Sequence, residues 1–164
     1  MISYLAASAE YFYAEERALA NAAAAVRDTV LGLDYDKKNA VDLSIAPVTI
    51  TEGSGMKGAG MELGERPTFY FVAAEGYENE TPTFTIDGVN IRYTTQSIDA
   101  NTYFCLIHSP DMLDKTVFYT IGEHSGSFNL RAYYDWAKAE QDNALVHLIE
   151  RLYAYNQSIH ACFD

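Results

Sequence analysis

Four histidines and a surplus of carboxylates are where any chemistry in this chain would have to start. On paper Ser125, His124 and Asp111 supply the members of a Ser–His–acid hydrolase set, in which the imidazole takes the serine proton and the carboxylate orients the ring. No Gly-x-Ser-x-Gly turn accompanies them, so the strained elbow that exposes such a serine is missing. His108 stands beside Ser109 at the end of an apolar run, while His147 and His160 fall in the last helical stretch. Glu62, Glu65, Glu75, Glu78 and Glu80 cluster near expected strand ends, and two carboxylates facing across a sugar linkage would make a glycosidase. In a chain with 23 acidic residues the ordinary role of such a cluster is a solvated rim. Asp34-Tyr35-Asp36 with Asn39 offers hard oxygen ligands, but the Gly and the later Glu of a calcium-binding EF-hand loop are absent. The expectation is a chain that is not an enzyme, with no catalytic residue, no metal and no cofactor.

The aromatic residues are the stronger lead. Thirteen Tyr, eight Phe and one Trp make up 13% of the chain. Flat rings with a polar edge suit ligands that have an apolar face and hydroxyl rims, as sugars do. Tyr77 lies in the polar loop Glu75-Gly76-Tyr77-Glu78-Asn79, where no core is expected to claim it. Tyr93 ends a hairpin strand, and Tyr133 and Tyr134 crowd the start of a helix with Trp136. Tyr77, Tyr93, Tyr133 and Tyr134 are the candidate ligand-binding residues. Trp136 is expected in the core, because Trp is highly buried on average.

Composition narrows the partners. The 164 residues suit one domain, residues 1–164, with 49% hydrophobic and 21% charged residues. A net charge of −12 argues against nucleic acid, whose phosphates need a basic patch, and against anionic membrane surfaces. Six Arg and five Lys form no basic stripe. No run approaches the roughly 20 apolar residues of a membrane span. Glu10, Glu15 and Glu16 interrupt any signal-peptide pattern at the N-terminus, so a leader, if the protein is exported, lies outside this chain. Cys105 and Cys162 make neither a metal framework nor a disulfide scaffold, and free thiols are the default.

The elements that must position these residues are helical at both ends and β between. Residues 1–30 lack Pro and Gly and favour helix. Val41, Leu43 and Ile45 alternate with polar neighbours, and Val48 and Ile50 continue beyond Pro47. Gly53-Ser54-Gly55 reads as a turn, followed by a strand through Met61 and Leu63. Phe69-Tyr70-Phe71-Val72 is apolar throughout and reads as a central strand buried on both faces. Thr83–Ile86, Asp87-Gly88 and Val89–Tyr93 form a hairpin with a two-residue type I′ turn, which puts Phe84, Ile86, Val89 and Ile91 on one face. Strands at Tyr103–Ile107, Val117–Ile121 and Ser127–Leu130 follow, with His124 in a turn. Leu145, Leu148, Ile149, Leu152, Asn156, Ile159 and Phe163 then take helical spacing behind Asp142 as N-cap. The fold class is therefore α+β: an antiparallel β-sandwich of seven or eight strands over 40–130, with helices at 1–30 and 131–163 packed together.

The two ends also echo each other. Met1-Ile2-Ser3-Tyr4 with Phe12 matches Leu152-Tyr153-Ala154-Tyr155 with Phe163, and both pairs stand 151 residues apart, from 4 to 155 and from 12 to 163. A motif recurring once per domain length is the signature of a tandem array.

In order along the chain come Met1-Ile2-Ser3-Tyr4, Ala6–Ala9, Tyr11-Phe12 and Leu19-Ala20-Asn21. Asp114-Lys115-Thr116-Val117, Gly122, Gly126, Leu130-Arg131-Ala132-Tyr133 and the Tyr helix at 152–163 follow. This succession resembles a recurring, poorly characterised extracellular module of large multidomain surface and secreted proteins of anaerobic gut Firmicutes. The likeness spans nearly the whole chain through individually short motifs, and departs from the pattern at Leu5 and Asn156, where Gly after the Tyr is usual. It implies a non-catalytic part of an exported protein, secreted or at the cell surface, and carries no catalytic residue across. The expected role is carbohydrate binding or surface adhesion, with a polysaccharide or surface glycan and neighbouring modules of the same polypeptide as partners. The alternatives are a spacer that docks its neighbours in an array, or a small glycan-acting hydrolase using loop carboxylates.

Overall fold

Asp87 and Gly88 both take positive φ, 50° and 78°, the backbone that a two-residue I′ turn demands. They join β3 (Thr83–Ile86) to β4 (Val89–Ile91), with Phe84 opposite Ile91 and Ile86 opposite Val89. The computed structural model describes residue 11 and residues 42–48, 54–63 and 66–163. Two compact units are present: Ile45–Tyr133, and Met1–Ser44 with Tyr134–Asp164. The described residues hold eight strands and two α-helices, an α+β architecture with a β-rich core.

The first unit contains all eight strands. Besides β3 and β4 these are β1 (Met56–Leu63), β2 (Pro67–Ala73), β5 (Thr94–Ile98), β6 (Asn101–Ile107), β7 (Val117–Ile121) and β8 (His124–Phe128). They form two four-stranded sheets, ordered β1-β2-β6-β5 and β4-β3-β7-β8, with every pairing antiparallel. Rings from one sheet meet rings from the other: Phe71 lies 4.9 Å from Phe84 and 5.5 Å from Tyr119, and Phe69 lies 5.7 Å from Phe128. Offset and edge-to-face pairs at such distances add to the stabilisation from area burial.

Several expectations change here. The strand β5 replaces the anticipated run of β4 through Tyr93: the chain leaves one sheet at Arg92-Tyr93 and enters the other. All five β5 residues are exposed, so no alternation marks the strand, and its turn uses Asp99 and Ala100 at positive φ without a glycine. β2 is central in its sheet but buried on one face only, since Phe69 and Phe71 are buried while Tyr70 and Val72 are half-exposed. Residues 42–48 form no strand. Leu43 and Ile45 are buried as the alternation requires, but no strand pairs with them, Pro47 has no N–H to offer a ladder, and the Ala46 carbonyl accepts from Asn129 Nδ2 at 2.8 Å. His124 opens β8 rather than lying in the preceding turn, and that strand ends at Phe128.

Asn129 starts helix α1 (Leu130–Ala139), its Oδ1 accepting from the Ala132 N–H at 3.1 Å. The other end of α1 lies in the second unit. Gln141 takes positive φ, while the Asp142 and Gln141 N–H groups donate to the Ala137 and Lys138 carbonyls, the pattern of a Schellman ending. Asp142 then caps α2 (Asn143–Phe163), accepting from Leu145 N–H at 3.0 Å, as its position implies. Leu148, Ile149, Leu152 and Asn156 are buried along the expected stripe. Trp136 corrects the expectation of a core residue, being 51% exposed. Leu130, Tyr134 and Ala137 make the buried stripe of α1, and a residue two positions from Tyr134 falls on the other side of the helix.

The expected helix over 1–30, and its packing on the C-terminal helix, lie outside the described residues apart from Tyr11, which is helical and stacks on Tyr155 at 5.7 Å. Asp34, Tyr35, Asp36, Asn39 and Glu65 also lie outside them. Cys105 and Cys162 are free thiols.

Candidate functional site

Tyr77 follows β2 in a tight loop, held by its own N–H to the Ala74 carbonyl and by the Glu80 N–H to its carbonyl. Its hydroxyl is joined to His124 Nε2 by a 2.6 Å hydrogen bond, with the two rings edge to face at 5.2 Å. His124 shares the inward face of β8 with Gly126 and Phe128, so the pair caps one end of the aromatic core. Gly55 fits beneath: a Cβ there would stand 2.4 Å from Ile121 Cγ2 and 3.6 Å from the Tyr77 ring. The ring thus has a structural claim that the loop composition did not reveal.

Tyr93, where the chain changes sheets, points its ring between Phe84 at 5.2 Å and Phe104 at 5.6 Å. No hydrogen bond or ring contact among the described residues unites it with Tyr77. Tyr133 is half-exposed on α1. Tyr134, in the other unit, is 6% exposed, donates from its hydroxyl to Glu150 Oε1 at 2.9 Å and has Lys138 Nζ over its ring. Burial, then the bond to Glu150, raises its pKa. Sequence reasoning grouped four tyrosines that the fold distributes among different supports.

The paper triad does not assemble. Asp111 accepts from Ser109 Oγ, and no hydrogen bond among the described residues joins His124 to Ser125 or Asp111. His108 is buried against Phe69, its Nδ1–H donating to the Leu106 carbonyl at 3.2 Å, and burial lowers its pKa. Among the described residues no group of three or more His, Cys, Asp or Glu is placed to hold a metal ion, and no helix is long and apolar enough to cross a membrane.

The outer face of the β1-β2-β6-β5 sheet brings aromatic and polar groups together. Phe69 and Phe71 point into the core, so Thr68, Tyr70 and Val72 point out; by the same parity Asn101, Tyr103 and Cys105 point out from β6. Tyr70 pairs with Gly60 on one side and Cys105 on the other, while Tyr103 pairs with Val72 and Gln96. The two rings are therefore diagonal neighbours, 6.0 Å apart and edge to face. Tyr70 lies flat on the Gly60 backbone, where a Cβ would stand 2.3 Å from its hydroxyl oxygen. Burial raises the Tyr70 pKa, and nearby Tyr103 and Glu62 raise it further. Burial and Glu62 likewise raise Cys105. Lys57 donates to Asn101 Oδ1, and Asn101 Nδ2 donates to the Asp99 carbonyl at 3.2 Å.

Tyr70 and Tyr103 are not singled out by the sequence, because the apolar run Phe69-Tyr70-Phe71-Val72 implies burial on both faces. The available signal was the tyrosine hydroxyl itself, which alternation along β2 and β6 lets Tyr70 and Tyr103 turn to water. Comparison of the chain with protein-family models, curated proteins and solved structures finds no match.

Proposed function

We propose that this chain is a non-catalytic, glycan-binding module of an exported multidomain protein, acting in carbohydrate binding or surface adhesion at the cell surface or after secretion. In this reading the two sheets form a β-sandwich, the N- and C-terminal helices pack together, and the chain belongs with the extracellular modules it resembles. The observation that carries the proposal is the Tyr70–Tyr103 pair on an outer sheet face, beside Gln96, Asn101, Lys57 and Glu62. A pyranose ring presents an apolar C–H face that stacks on an aromatic ring, while its hydroxyls take bonds from amides, carboxylates and ammonium groups. Tyr70 is pre-organised by its seat on Gly60, so little ordering entropy is left to oppose binding. Tyr77 and Tyr93 then serve the fold, and Tyr133 stands half-exposed on α1.

Affinity electrophoresis of the folded protein in mixed-linkage β-glucan, xylan and galactomannan gels tests this. Retardation by at least one polysaccharide, weakened in Tyr70→Ala/Tyr103→Ala while the melting temperature shows a folded protein, is the expected result. Free migration of the wild type in every gel removes the proposal.

A further inference from the structure

The other sheet carries an aromatic face of different character. Val117, Tyr119 and Ile121 fill the core from β7, which leaves Phe118 and Thr120 facing out, with Phe118 53% exposed. Register sets Thr85 and Ser127 on either side of Phe118, and Thr83 and Ser125 on either side of Thr120. The result is a two-by-three grid of one ring and five hydroxyls, with strands about 4.8 Å apart and rows roughly 6.7 Å apart. An open depression of about 290 Å³ lies over it.

We infer that this grid is a second glycan site, taking an uncharged pyranose chain with one sugar stacked on Phe118. This rests on the glycan-binding reading above and adds a distinct face and a ligand class to it. Three observations favour that occupant. No charged residue lines the depression, although the chain carries 23 acidic residues. The depression is therefore neutral where the molecule as a whole is strongly anionic, which suits a neutral ligand and disfavours phosphate or uronate. Next, none of the five hydroxyls is engaged by another described residue, and each offers one donor and two acceptor positions to a ligand hydroxyl. Finally, Ser and Thr are under-represented among the residues that drive protein–protein contacts, so five of them around one Phe make a poor protein interface. They make a good match for a ligand that is itself a ring with a hydroxyl rim. With Tyr70 and Tyr103 on the outer face of the other sheet, the module would hold two chains at once.

Affinity gels of mixed-linkage β-glucan, xylan and galactomannan, with polygalacturonate as the anionic control, test the site. Four proteins are compared: wild type, Phe118→Ser, Thr85→Val/Thr120→Val, and Tyr70→Ala/Tyr103→Ala, each verified as folded by its thermal transition. Retention of wild type by a neutral polysaccharide but not by polygalacturonate is expected. Phe118→Ser should bind at least about five-fold more weakly, the effect of losing roughly 1 kcal/mol. The Val pair, which keeps the ring and removes two hydroxyls, should weaken retention in the same direction. Wild-type retention in both of these variants, with loss in Tyr70→Ala/Tyr103→Ala, overturns this site and leaves the first face standing. No retention of wild type on any gel overturns the glycan reading and this site with it. A change in sedimentation on Phe118→Ser with unchanged retention identifies the face as a contact between copies and also overturns the inference.

Discussion

Both sheets lay a tyrosine across a glycine of the neighbouring strand, and the two pairs do different work. Tyr70 covers Gly60, and Tyr119 covers Gly126; a Cβ on the glycine would stand 2.3 Å and 2.4 Å from the respective hydroxyl oxygens. Tyr119 points inward, is 2% exposed, and its hydroxyl shares a 2.7 Å hydrogen bond with Ser54 Oγ. Tyr70 points outward, half-exposed, with Tyr103 beside it. The same local pairing is thus a core brace in one sheet and a surface platform in the other. Strand parity decides which, because successive side chains of a strand face opposite ways. What places a tyrosine of this fold on the surface or in the core is the face its strand turns outward, not its neighbours in sequence.

The sharpest way to break the comparison is to delete each ring. Tyr119→Ala should cost about 3–5 kcal/mol, the range for removing a large buried aromatic, read as a large drop in denaturation midpoint. Tyr70→Ala should cost much less stability while weakening polysaccharide retention about five-fold or more. If the two substitutions destabilise equally, Tyr70 is a core residue and the platform reading fails.

The glycines give the next largest contrast. Gly126→Ala pushes a methyl group into a ring with no room to move, and overpacking of that kind costs roughly 1–3 kcal/mol. At Gly60 the half-exposed Tyr70 ring can swing towards water, so Gly60→Ala should be milder in stability yet should impair retention by unseating the platform. Equal melting temperatures for the two variants would show that both rings yield alike.

Ser54→Ala probes the buried hydroxyl alone. It leaves the Tyr119 hydroxyl without its partner, which costs about 1–3 kcal/mol if water does not replace it. Ser54→Ala combined with Tyr119→Phe should recover part of that loss, since both polar partners are then gone.

The smallest effect is in pH. Burial raises the pKa of Tyr119 against the opposing bond from Ser54, and raises that of Tyr70 with help from Tyr103 and Glu62. A tyrosine whose pKa is higher folded than unfolded contributes stability below its ordinary value of 10.0. That contribution is lost as pH rises from there towards the folded pKa. Unfolding free energy should therefore fall in alkali above about pH 10. Tyr119→Phe and Tyr70→Phe should each flatten the fall, and an unchanged alkaline slope in both would remove this account of their burial.

Legibility in the sequence followed the range of the forces involved. Asp87-Gly88 specified its hairpin because only a few residue types accept two successive positive φ angles. Asp142 marked the start of α2 because a carboxylate there meets an unpaired N–H of the first turn. The alternation of Val117, Tyr119 and Ile121 likewise announced a half-buried strand. These are short-range matters of backbone and period, and the chain states them outright. Tertiary structure alone decided the rest. Thr94–Ile98 became a strand only because β6 offered it an edge. Leu43 and Ile45 were buried without a ladder. Trp136 turned out to solvent because Leu130, Tyr134 and Ala137 took the packed side of α1. The face of Phe69-Tyr70-Phe71-Val72 that became core was settled by Phe84, Tyr119 and Phe128, residues far along the chain. A strand specifies its two faces by alternation, but which face is covered depends on the sheet that packs against it, and that choice placed Tyr70 and Tyr103 on the surface.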